Sequence, residues 1–417
     1  MSRVLITGVS TRAAAESAAR AGFDVTALDA FADLDQHPGV QAHALPGPFT
    51  ARAAAEAARR IECDAVAYLS NFENHPAAVR ALTANRMLWG NPPEILKRVR
   101  DPIAVVRALR NRGFAVPAAY VASGFGRTSA STVRLKADAT MGKPADATRG
   151  KPADATRGKQ TDATKEEWLV KPRASGGGHG IRPWHQGDDV PSGAYLQEYV
   201  DGIPGSVVFV AARGRAVPLG LSRQLIGDRA FGTDGFRYCG NILAPSSDTV
   251  FQQEDALVAA TCELAVGVAD EFGLVGLNGI DFVARDAAPY VIEINPRWCA
   301  SMELVERAYG LSIFGAHARA CDAGTLPDFD LIDARRRSDS AFGKAIVFAH
   351  HDITAADTCE WVSNAVDEQT HIRDVPRPGT FIRAGRPICT VFAEAANAGA
   401  CYAALVARAA RVYADFD

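Results

Sequence analysis

The stretch DFVARDAAPYVIEINPR, residues 281–297, decides the predicted fold. It contains two apolar runs on either side of a turn, and this pattern predicts a β-hairpin. Side chains alternate across a strand, so Glu293, Asn295 and Arg297 share one face. Hairpin pairing then places Asp281 level with Glu293. Two carboxylates and an amide oxygen suit Mg²⁺, and the guanidinium adds a rigid fork for a phosphate or a carboxylate. The stretch therefore predicts an ATP–metal site.

An exposed hairpin with solvated acids is the alternative, and the segment WLVKPRASGGGHGI at 168–181 argues against it. A short apolar strand delivers a lysine there, and a serine and four glycines follow. Glycines let backbone N–H groups approach phosphate oxygens, and the lysine adds a point charge. The spacing matches neither the P-loop nor G-x-G-x-x-G, so by itself it favours a flexible turn. Together with the hairpin it predicts a lid over a triphosphate, with the nucleotide-binding candidates Lys171, Ser175, Gly176, Gly177, Gly178 and Gly180.

The segment YLQEYVDGIPGSVVFV at 195–210 lies between these two segments and predicts two apolar strands joined by Gln-Glu and an Asp-Gly turn. An adenine base needs one hydrogen-bond donor, one acceptor and apolar walls, and a linker between two lobes supplies all of them. This linker, or hinge, comprises Gln197, Glu198, Tyr199 and Val200.

In this order, the three segments resemble the ATP-grasp superfamily, which includes biotin carboxylase, D-alanine–D-alanine ligase, glutathione synthetase and carboxyaminoimidazole synthetase. The resemblance covers about residues 1–330, and the tail extends it. It implies that Lys171 and the glycine-rich loop bind the nucleotide phosphates, and that the hinge binds adenine and ribose. It also implies that the two acids and the amide, Asp281, Glu293 and Asn295, hold one or two Mg²⁺ or Mn²⁺ ions. Arg297 then stabilises the transferred phosphoryl group or the acyl-phosphate.

The start of the predicted small lobe departs from the family pattern. Family members commonly carry an earlier nucleotide-binding lysine after an aspartate, where this chain has Asp101 and Pro102. These two residues make a good helix N-cap and first helical residue, but proline has no charge. Either Lys97, Arg98 or Arg100 replaces the lysine, or the contact is absent and the three form a solvated basic helix face.

Composition and charge exclude several classes of protein. The 417 residues carry a net charge of −3, which gives no electrostatic reason to expect a nucleic-acid partner. No apolar run reaches the roughly 18 residues of a membrane span, and the amino terminus lacks a signal-peptide pattern. The eight cysteines lack C-x-x-C spacing, which predicts buried thiols in a cytoplasmic protein rather than disulfides or a zinc site. Cys299, beside the metal strand, is expected to pack.

Residues 1–98 alternate strand and helix, which predicts a doubly wound, Rossmann-like parallel sheet. The first turn holds one glycine where the dinucleotide fingerprint needs three, so an NAD(P) oxidoreductase is disfavoured. In ATP-grasp proteins such a domain lends loops to the non-nucleotide substrate. We expect these loops at 8–12 and 70–74, after the carboxyl ends of two strands.

The rest of the chain divides into two lobes and a tail, which together predict an α/β protein with α+β lobes and the ATP-grasp fold. Residues 99–196 are the predicted small lobe, 197–335 the large lobe with the metal site, and 338–417 a small β-rich carboxy-terminal subdomain. An octapeptide repeat at 136–165 has almost no large apolar residues, which predicts a disordered insertion in the small lobe.

Two arginines between the hinge and the metal strands are candidates for the acceptor pocket. Related ligases carry basic side chains to the acceptor at this point, so Arg223 and Arg237 are expected to hold a substrate carboxylate. Arg223 joins Arg297 as a catalytic candidate. The alternative is that Arg223 and Arg237 are surface arginines on a sheet.

These features predict a cytoplasmic ATP-grasp carboxylate–amine ligase that forms an amide-type C–N bond through an acyl-phosphate. Its expected partners are small-molecule carboxylates and amines, with neither nucleic acid nor membrane, and a homodimer is expected because relatives are often dimers. Two alternatives stay open: a bicarbonate-activating carboxylase of the biotin carboxylase type, and an ATP-binding protein without ligase activity. The sequence does not identify the substrates.

Overall fold

A computed structural model of the protein describes residues 2–121, 167–363 and 371–416. The octapeptide repeat at 136–165, with the insertion predicted from it, lies outside these residues. The described chain contains a parallel sheet, a small antiparallel sheet and a large antiparallel sheet.

The amino-terminal layer alternates strands and helices. Its elements are β1 (Arg3–Thr7), α1 (Arg12–Arg20), β2 (Asp24–Asp29), β3 (Val40–Ala44), α2 (Ala51–Ala58), β4 (Ala65–Tyr68), α3 (Pro76–Leu82), β5 (Met87–Trp89) and α4 (Pro93–Val99). The strands run parallel in the order β3-β2-β1-β4-β5. Val4, Leu5 and Ile6 in β1 are all buried, as expected for a parallel strand with both faces covered. The predicted parallel sheet is confirmed.

After α4, residues 100–121 and 167–198 form one helix and four antiparallel strands, which we call the small lobe. Its elements are α5 (Pro102–Asn111), β6 (Ala119–Tyr120), β7 (Trp168–Pro172), β8 (Arg182–Trp184) and β9 (Ala194–Glu198). The order β6-β9-β7-β8 pairs the strand that carries the predicted lysine with the strand that leads into the hinge. Asp101 caps α5 as predicted, because its carboxylate accepts the N–H groups of Ile103 and Ala104 at 2.9 and 3.2 Å.

The large sheet has eight strands and takes in most of the remaining chain. Its first part comprises β10 (Ile203–Ala212), β11 (Arg215–Ile226), β12 (Tyr238–Leu243), α6 (Glu254–Phe272), β13 (Gly276–Arg285), β14 (Ala288–Asn295), α7 (Met302–Tyr309), α8 (Ile313–Asp322) and α9 (Leu331–Arg337). The tail adds β15 (Ala341–Phe348), β16 (Ile353–Thr354), α10 (Cys359–Ser363), β17 (Ile372–Arg373), β18 (Phe381–Ile382), β19 (Pro387–Ala395) and α11 (Ala398–Ala414).

The strand order of the large sheet is β14-β13-β10-β11-β12-β15-β19-β17. Three tail strands therefore continue the sheet of the large lobe, because β15 pairs with β12. A separate carboxy-terminal subdomain stays a prediction, since the hydrogen bonding of the sheet crosses its proposed boundary.

The predicted hairpin is confirmed, because β13 pairs with β14 and Asp281 lies opposite Glu293. Its turn is tighter than predicted: only Asp286, at φ +56°, and Ala287 connect the two strands. The register shifts directly after Asp281 at a bulge, and Ile292 joins Glu293 on the wall of a cavity. The hairpin thus presents both acids to one space.

Long helices cover the large sheet. One of them is α6, and its buried residues Leu257, Leu264 and Val268 belong to the core that includes β10 and β13. At the other end of the sheet, α11 packs on β15 and β19. Among the helices in the described part of the chain, none is both long and apolar enough for a membrane span.

Candidate active site

A cavity of about 580 Å³ lies where the amino-terminal layer, the small lobe and the large sheet meet. We call the end beside the small lobe the hinge half, and its wall includes Lys171, Gly176, Gln197, Glu198, Asp281 and Glu293. We call the end beside the amino-terminal layer and the tail strands the tail half, and its wall includes Ser10, Arg12, Ser301, Lys344, Asp374 and Thr390. The predicted metal and phosphate residues thus share one space with residues from both ends of the chain.

The predicted metal residues form a hydrogen-bonded group on the large sheet. Asn295 Nδ2 donates to Asp281 Oδ2 at 2.8 Å, and Gln224 Nε2 donates to Asp281 Oδ1 at 2.9 Å. Glu293 lies beside Asp281 across the hairpin. The three predicted ligands therefore offer oxygen atoms to the same part of the cavity, which suits a hard divalent cation.

The two carboxylates have opposite pKa shifts. Burial, followed by the charge of Glu293, raises the pKa of Asp281 to about 6. Burial also opposes the ionisation of Glu293, but the cations of Arg100 and Lys171 outweigh it and hold the pKa of Glu293 below its ordinary value. Glu293 is therefore compensated by nearby cations, whereas for Asp281 burial and the charge of Glu293 outweigh the cation of Arg297.

Lys171 reaches the cavity from β7. Its ammonium donates to Gln197 Oε1 at 2.9 Å, which joins the predicted phosphate ligand to the first residue of the predicted hinge. The side chain is buried, and burial lowers the pKa of the ammonium. An ammonium has three donors, so this group still has protons for an anionic ligand.

Arg100 is the basic residue of the small-lobe entrance that reaches the site. Its guanidinium contacts Glu293, donates to Asn74 Oδ1 at 3.0 Å and donates to the carbonyl oxygen of Ser175 at 3.2 Å. Arg98 instead points to the end of α6, where it donates to the carbonyl oxygen of Glu271 at 3.1 Å. Lys97 is exposed on α4. Of the three candidates that the sequence left open, the structure brings only Arg100 to the carboxylates.

Arg297 is fixed by a residue of the amino-terminal layer. Its Nε donates to Glu73 Oε1 at 2.8 Å, and its Nη2 donates to Asn295 Oδ1 at 3.1 Å. Burial alone would lower the pKa of Arg297, but the charge of Glu73 outweighs it and raises that pKa. The guanidinium is therefore a permanent cation beside the metal residues, held by a loop that the sequence had assigned to the substrate.

The glycine-rich loop lies against the large sheet. Gly176, Gly177 and Gly178 line the cavity, whereas Gly180 packs against Pro172 and does not line it. Gly178 has φ +77°, and a Cβ there would lie 1.9 Å from the carbonyl oxygen of Phe236, so only glycine fits this approach. Ser175 contributes through its backbone carbonyl, which accepts from Arg100.

The predicted adenine hinge lines the cavity at all four positions, Gln197, Glu198, Tyr199 and Val200. The N–H of Glu198 donates to Ala118 O at 2.8 Å, and the N–H of Tyr199 donates to Glu167 O at 2.7 Å. Within the described residues, Val200 is therefore the hinge position whose N–H has no backbone acceptor. Its side chain is buried and supplies an apolar wall.

The structure corrects the assignment of Arg223 to the acceptor pocket. Because side chains alternate along β11, Gln224 faces the cavity and binds Asp281, while Arg223 is exposed on the opposite face. Arg237 also turns away, since its guanidinium donates to Gly385 O at 2.8 Å and lies 4.6 Å from the ring centre of Phe348. Gln224, rather than the predicted Arg223, is therefore the residue at this part of β11 that lines the cavity.

Both loops expected to serve the substrate line the cavity, through Ser10, Arg12 and Ser70. Arg12 is fully buried and bonds Glu303 Oε1 and Asp374 Oδ1, each at 2.8 Å. The sequence reasoning missed both carboxylates, which lie 291 and 362 residues away in the chain. No local pattern pointed to them.

Lys344 also lines the tail half, and the sequence reasoning did not single it out. Its ammonium pairs with Glu303 Oε2 at 2.7 Å. A lysine inside an otherwise apolar strand, Ala341–Phe348, was the one signal in the sequence that could have singled it out.

Cys299 packs as expected. Burial raises the pKa of its thiol to about 12, which leaves the thiol protonated at neutral pH.

Two comparisons of sequence found relatives. Residues 99–301 match the family model of the ATP-grasp domain. An uncharacterised protein of Methanocaldococcus jannaschii is 27% identical over 127 residues, which covers 30% of this chain and 28% of that protein. The chain therefore matches less than a third of the length of this curated relative.

Solved structures resemble the chain over nearly its whole length. The L-amino acid ligase of Bacillus licheniformis superposes with a TM-score of 0.62 at 16% identity, covering 97% of this chain and 96% of the ligase. The N5-carboxyaminoimidazole ribonucleotide synthetase of Thermotoga maritima gives 0.62 at 15% identity, covering 98% of each chain. The biotin carboxylase of Campylobacter jejuni gives 0.62 at 14% identity, covering 97% of this chain and 89% of the carboxylase. At these identities the likeness establishes a shared fold.

Proposed function

We propose that this chain, which carries an ATP-grasp domain at residues 99–301, is an ATP-dependent carboxylate–amine ligase. The observation that carries the proposal is the convergence of Lys171, Asp281, Glu293 and Arg297 on one cavity. In the proposed reaction, the terminal phosphoryl group of ATP passes to a carboxylate. An amine then attacks the acyl carbon, phosphate leaves, and an amide is formed.

Mg²⁺ or Mn²⁺ fits the oxygen donors of Asp281, Glu293 and Asn295. The charge of Glu293 is the second cause of the raised pKa of Asp281, and a cation at this place would relieve that repulsion. Residues 2–121, 167–363 and 371–416 contain no group of three or more His, Cys, Asp or Glu side chains that could hold a metal ion, so phosphate and water oxygens would complete the coordination. Such an ion would supply charge neutralisation to the phosphoryl transfer.

The nucleotide is proposed to lie in the hinge half. Val200 supplies an N–H and an apolar wall to adenine, and Lys171 places its ammonium on the phosphates. Arg100 takes the role of the missing family lysine, because its guanidinium already joins Glu293 to the glycine-rich loop. Closure of that loop excludes water, which would otherwise hydrolyse the acyl-phosphate.

Arg297 is proposed to stabilise the transferred phosphoryl group. Its bonds to Glu73 and Asn295 fix the guanidinium before substrate arrives, so little reorganisation is needed as charge develops.

Three further proposals come from the sequence and the family. They are domain boundaries at 98, 196 and 335, a cytoplasmic location and a homodimer.

Phosphate release tests the function directly. The purified protein is given Mg²⁺-ATP alone, with bicarbonate, or with pairs of carboxylic acids and amines. The ligase proposal requires that ADP and phosphate form only when a carboxylate is present and that an amide product follows the amine. Turnover with bicarbonate alone would favour the carboxylase alternative, and nucleotide binding without turnover in any pair would favour a non-catalytic ATP-binding protein.

A further inference from the structure

A row of polar side chains crosses the large sheet from the metal residues to the tail half of the cavity. Its members all line the cavity, and six neighbouring strands, β14, β13, β10, β11, β12 and β15, contribute one each. In that order the residues are Glu293, Asp281, Ser206, Gln224, Asn241 and Lys344. The row begins at carboxylates and ends at an ammonium.

Cross-strand pairing holds the row together. Gln224 lies opposite Asn241, and Asn241 lies opposite Lys344. Four strand spacings of about 4.8 Å separate β13 from β15, so the backbones of Asp281 and Lys344 are roughly 19 Å apart along the sheet. A substrate that reacts beside the metal residues reaches Lys344 only if it is extended.

Lys344 is held firmly in place. It is 4% exposed, its ammonium pairs with Glu303 at 2.7 Å, and it lies 5.1 Å from the ring centre of Phe392. Glu303 in turn is held by Arg12 at 2.8 Å. Glu303 accepts one of three ammonium protons, so the group keeps donors for an oxygen ligand in the cavity that it lines.

The carboxylates that hold these cations lie behind them. Glu16, Asp35 and Glu303 all pair with Arg12, yet none of the three lines the cavity. Arg12 and Lys344 do line it, and Asp374 is the carboxylate that lines its tail half with them.

Both oxygens of Asp374 are already engaged. Oδ1 accepts from Arg12 at 2.8 Å, and Oδ2 accepts from Thr390 Oγ1 at 2.5 Å. Arg12 and Lys344 therefore face the cavity with Glu16, Asp35 and Glu303 behind them, and Asp374 is held by Arg12 and Thr390.

We propose that Lys344, supported by Arg12, forms a second anion subsite for a group of the substrate that is not the carboxylate to be phosphorylated. The substrate class is an extended molecule with two anionic groups. One is the carboxylate that reacts beside Asp281 and Glu293, and the other is a carboxylate or a phosphate monoester at Lys344. This subsite rests on the proposed ligase function, and it names the substrate class of the same site.

An anomalous scatterer locates the subsite without knowledge of the substrate. Crystals of the full-length protein, grown with Mg²⁺ and a non-hydrolysable ATP analogue, are soaked in selenate. A selenium peak within hydrogen-bonding distance of Lys344 Nζ is expected, and K344M should remove it. K97M is the matched control, because Lys97 is exposed on α4, and it should keep the peak. No peak at Lys344 in the wild-type protein, or a peak that persists in K344M, would overturn the proposal.

A substrate series gives the functional readout. Long dicarboxylic acids such as sebacate and dodecanedioate, their monoamides, and long-chain carboxylic acids with a terminal phosphate monoester are each offered with Mg²⁺-ATP and a panel of amines, and ADP release is followed. A dianionic acid should have a KM at least about tenfold lower than its monoamide, the effect of one charge-assisted hydrogen bond. K344M should erase this difference through KM with little change in kcat, and K344R should keep most of it.

Failure of the subsite and failure of the ligase proposal give different results. Wild-type protein that binds no Mg²⁺-ATP, measured with a fluorescent analogue, contradicts the proposed function whatever the selenate position. Wild-type protein that binds Mg²⁺-ATP but treats dianionic acids and monoamides alike contradicts the subsite alone. A preference for the phosphate monoesters over the dicarboxylates would identify which anion Lys344 receives.

Discussion

Two groups of buried charges line opposite ends of the same cavity, and their pKa shifts differ. At the tail end, burial opposes ionisation of Glu303 and Asp374, yet Arg12 outweighs it and the pKa of each carboxyl is lowered. At the hinge end, burial wins: it raises the pKa of Asp281 to about 6 and lowers the pKa of Lys171. At the tail end Arg12 therefore favours the ionised forms of Glu303 and Asp374, whereas at the hinge end burial favours the neutral forms of Asp281 and Lys171.

The difference shows that buried charges around one cavity can be paired mainly within the protein or can depend on a ligand for part of their compensation. A buried ion pair with complete partners joins segments of the fold, and breaking it leaves an uncompensated charge. Other buried groups lie in a cleft and have a pKa that is shifted by desolvation. A bound ligand can supply the charge that stabilises their ionised forms. In this molecule the two kinds of charge share one cavity, and only their partners tell them apart.

Loss of Glu293 should have the largest effect on activity. Glu293→Gln removes the charge that faces Arg100 and Lys171, and ATP turnover should fall on the order of 10³-fold while the protein stays folded. Steady-state ADP release measures it, with circular dichroism as the check of folding. E263Q, at an exposed position of α6, should keep wild-type turnover. Unchanged turnover in E293Q would contradict the metal assignment.

Loss of Arg12 should remove the ion pairs at the tail end of the cavity and destabilise the fold. Arg12→Met leaves Glu16, Glu303 and Asp374 buried without their shared cation, and the free energy of unfolding should fall by about 3–5 kcal/mol. Urea unfolding measures it. R52M, at an exposed position of α2, should change stability by no more than about 0.5 kcal/mol. A wild-type unfolding curve for R12M would remove the contrast between the two groups.

Lys171→Ala should weaken nucleotide binding rather than folding. The ammonium makes one hydrogen bond, to Gln197, and its pKa is lowered by burial, so its removal costs the fold little. Affinity for ATP should drop about tenfold to hundredfold, the effect of one or two charge-assisted bonds to phosphate. Calorimetric titration measures it, with K97A as the control. An unaltered affinity would contradict the role of the lysine under the lid.

The pH dependence of stability should have opposite signs at the two ends. The pKa of Asp281 is raised to about 6, so its ionised form lowers stability above pH 6, and this loss disappears as the pH falls towards the unfolded value of about 4. In EDTA, D281N should therefore be more stable than wild type by about 2 kcal/mol at pH 8, with the difference gone by about pH 4.

Glu303 gives the matched comparison for the pH experiment. Its pKa is lowered, so its stabilisation is present above the unfolded pKa and is lost as the pH falls through the folded one. E303Q should be less stable than wild type at pH 8, and the gap should narrow below about pH 4. Urea unfolding across this pH range measures both variants. Parallel curves for D281N and E303Q would contradict the distinction between the two ends.

The smallest effect is expected from the octapeptide repeat, which belongs to neither group. Deleting residues 138–163 removes a segment of low apolar content, so ATP turnover and melting temperature should stay close to wild type, within about 0.5 kcal/mol of stability. Thermal melting and ADP release measure it. A large loss of either would show that the repeat takes part in folding or function.

The amino-acid sequence determined the features that depend on near neighbours. The alternation around Asp281 and Glu293 predicted both the hairpin and its register, and the glycine-rich loop after Lys171 pointed to a segment that lines the cavity. The Asp101-Pro102 cap and the apolar periodicity of α6 were equally legible. Each of these follows from the two-residue or 3.6-residue repeat of a single element, which one segment expresses by itself.

Only the tertiary structure decided which charges meet. Arg100 rather than Lys97 or Arg98 faces Glu293, which lies 193 residues away, because it stands where α4 ends and its side chain turns inward. Gln224 rather than Arg223 serves the cavity, because a strand pattern does not say which of its faces will be covered.

Arg12 gathers carboxylates from both ends of the chain, and Glu73 holds Arg297 across 224 residues. Such partners are set by how sheets and helices pack, and packing depends on the whole chain rather than on any one stretch of it.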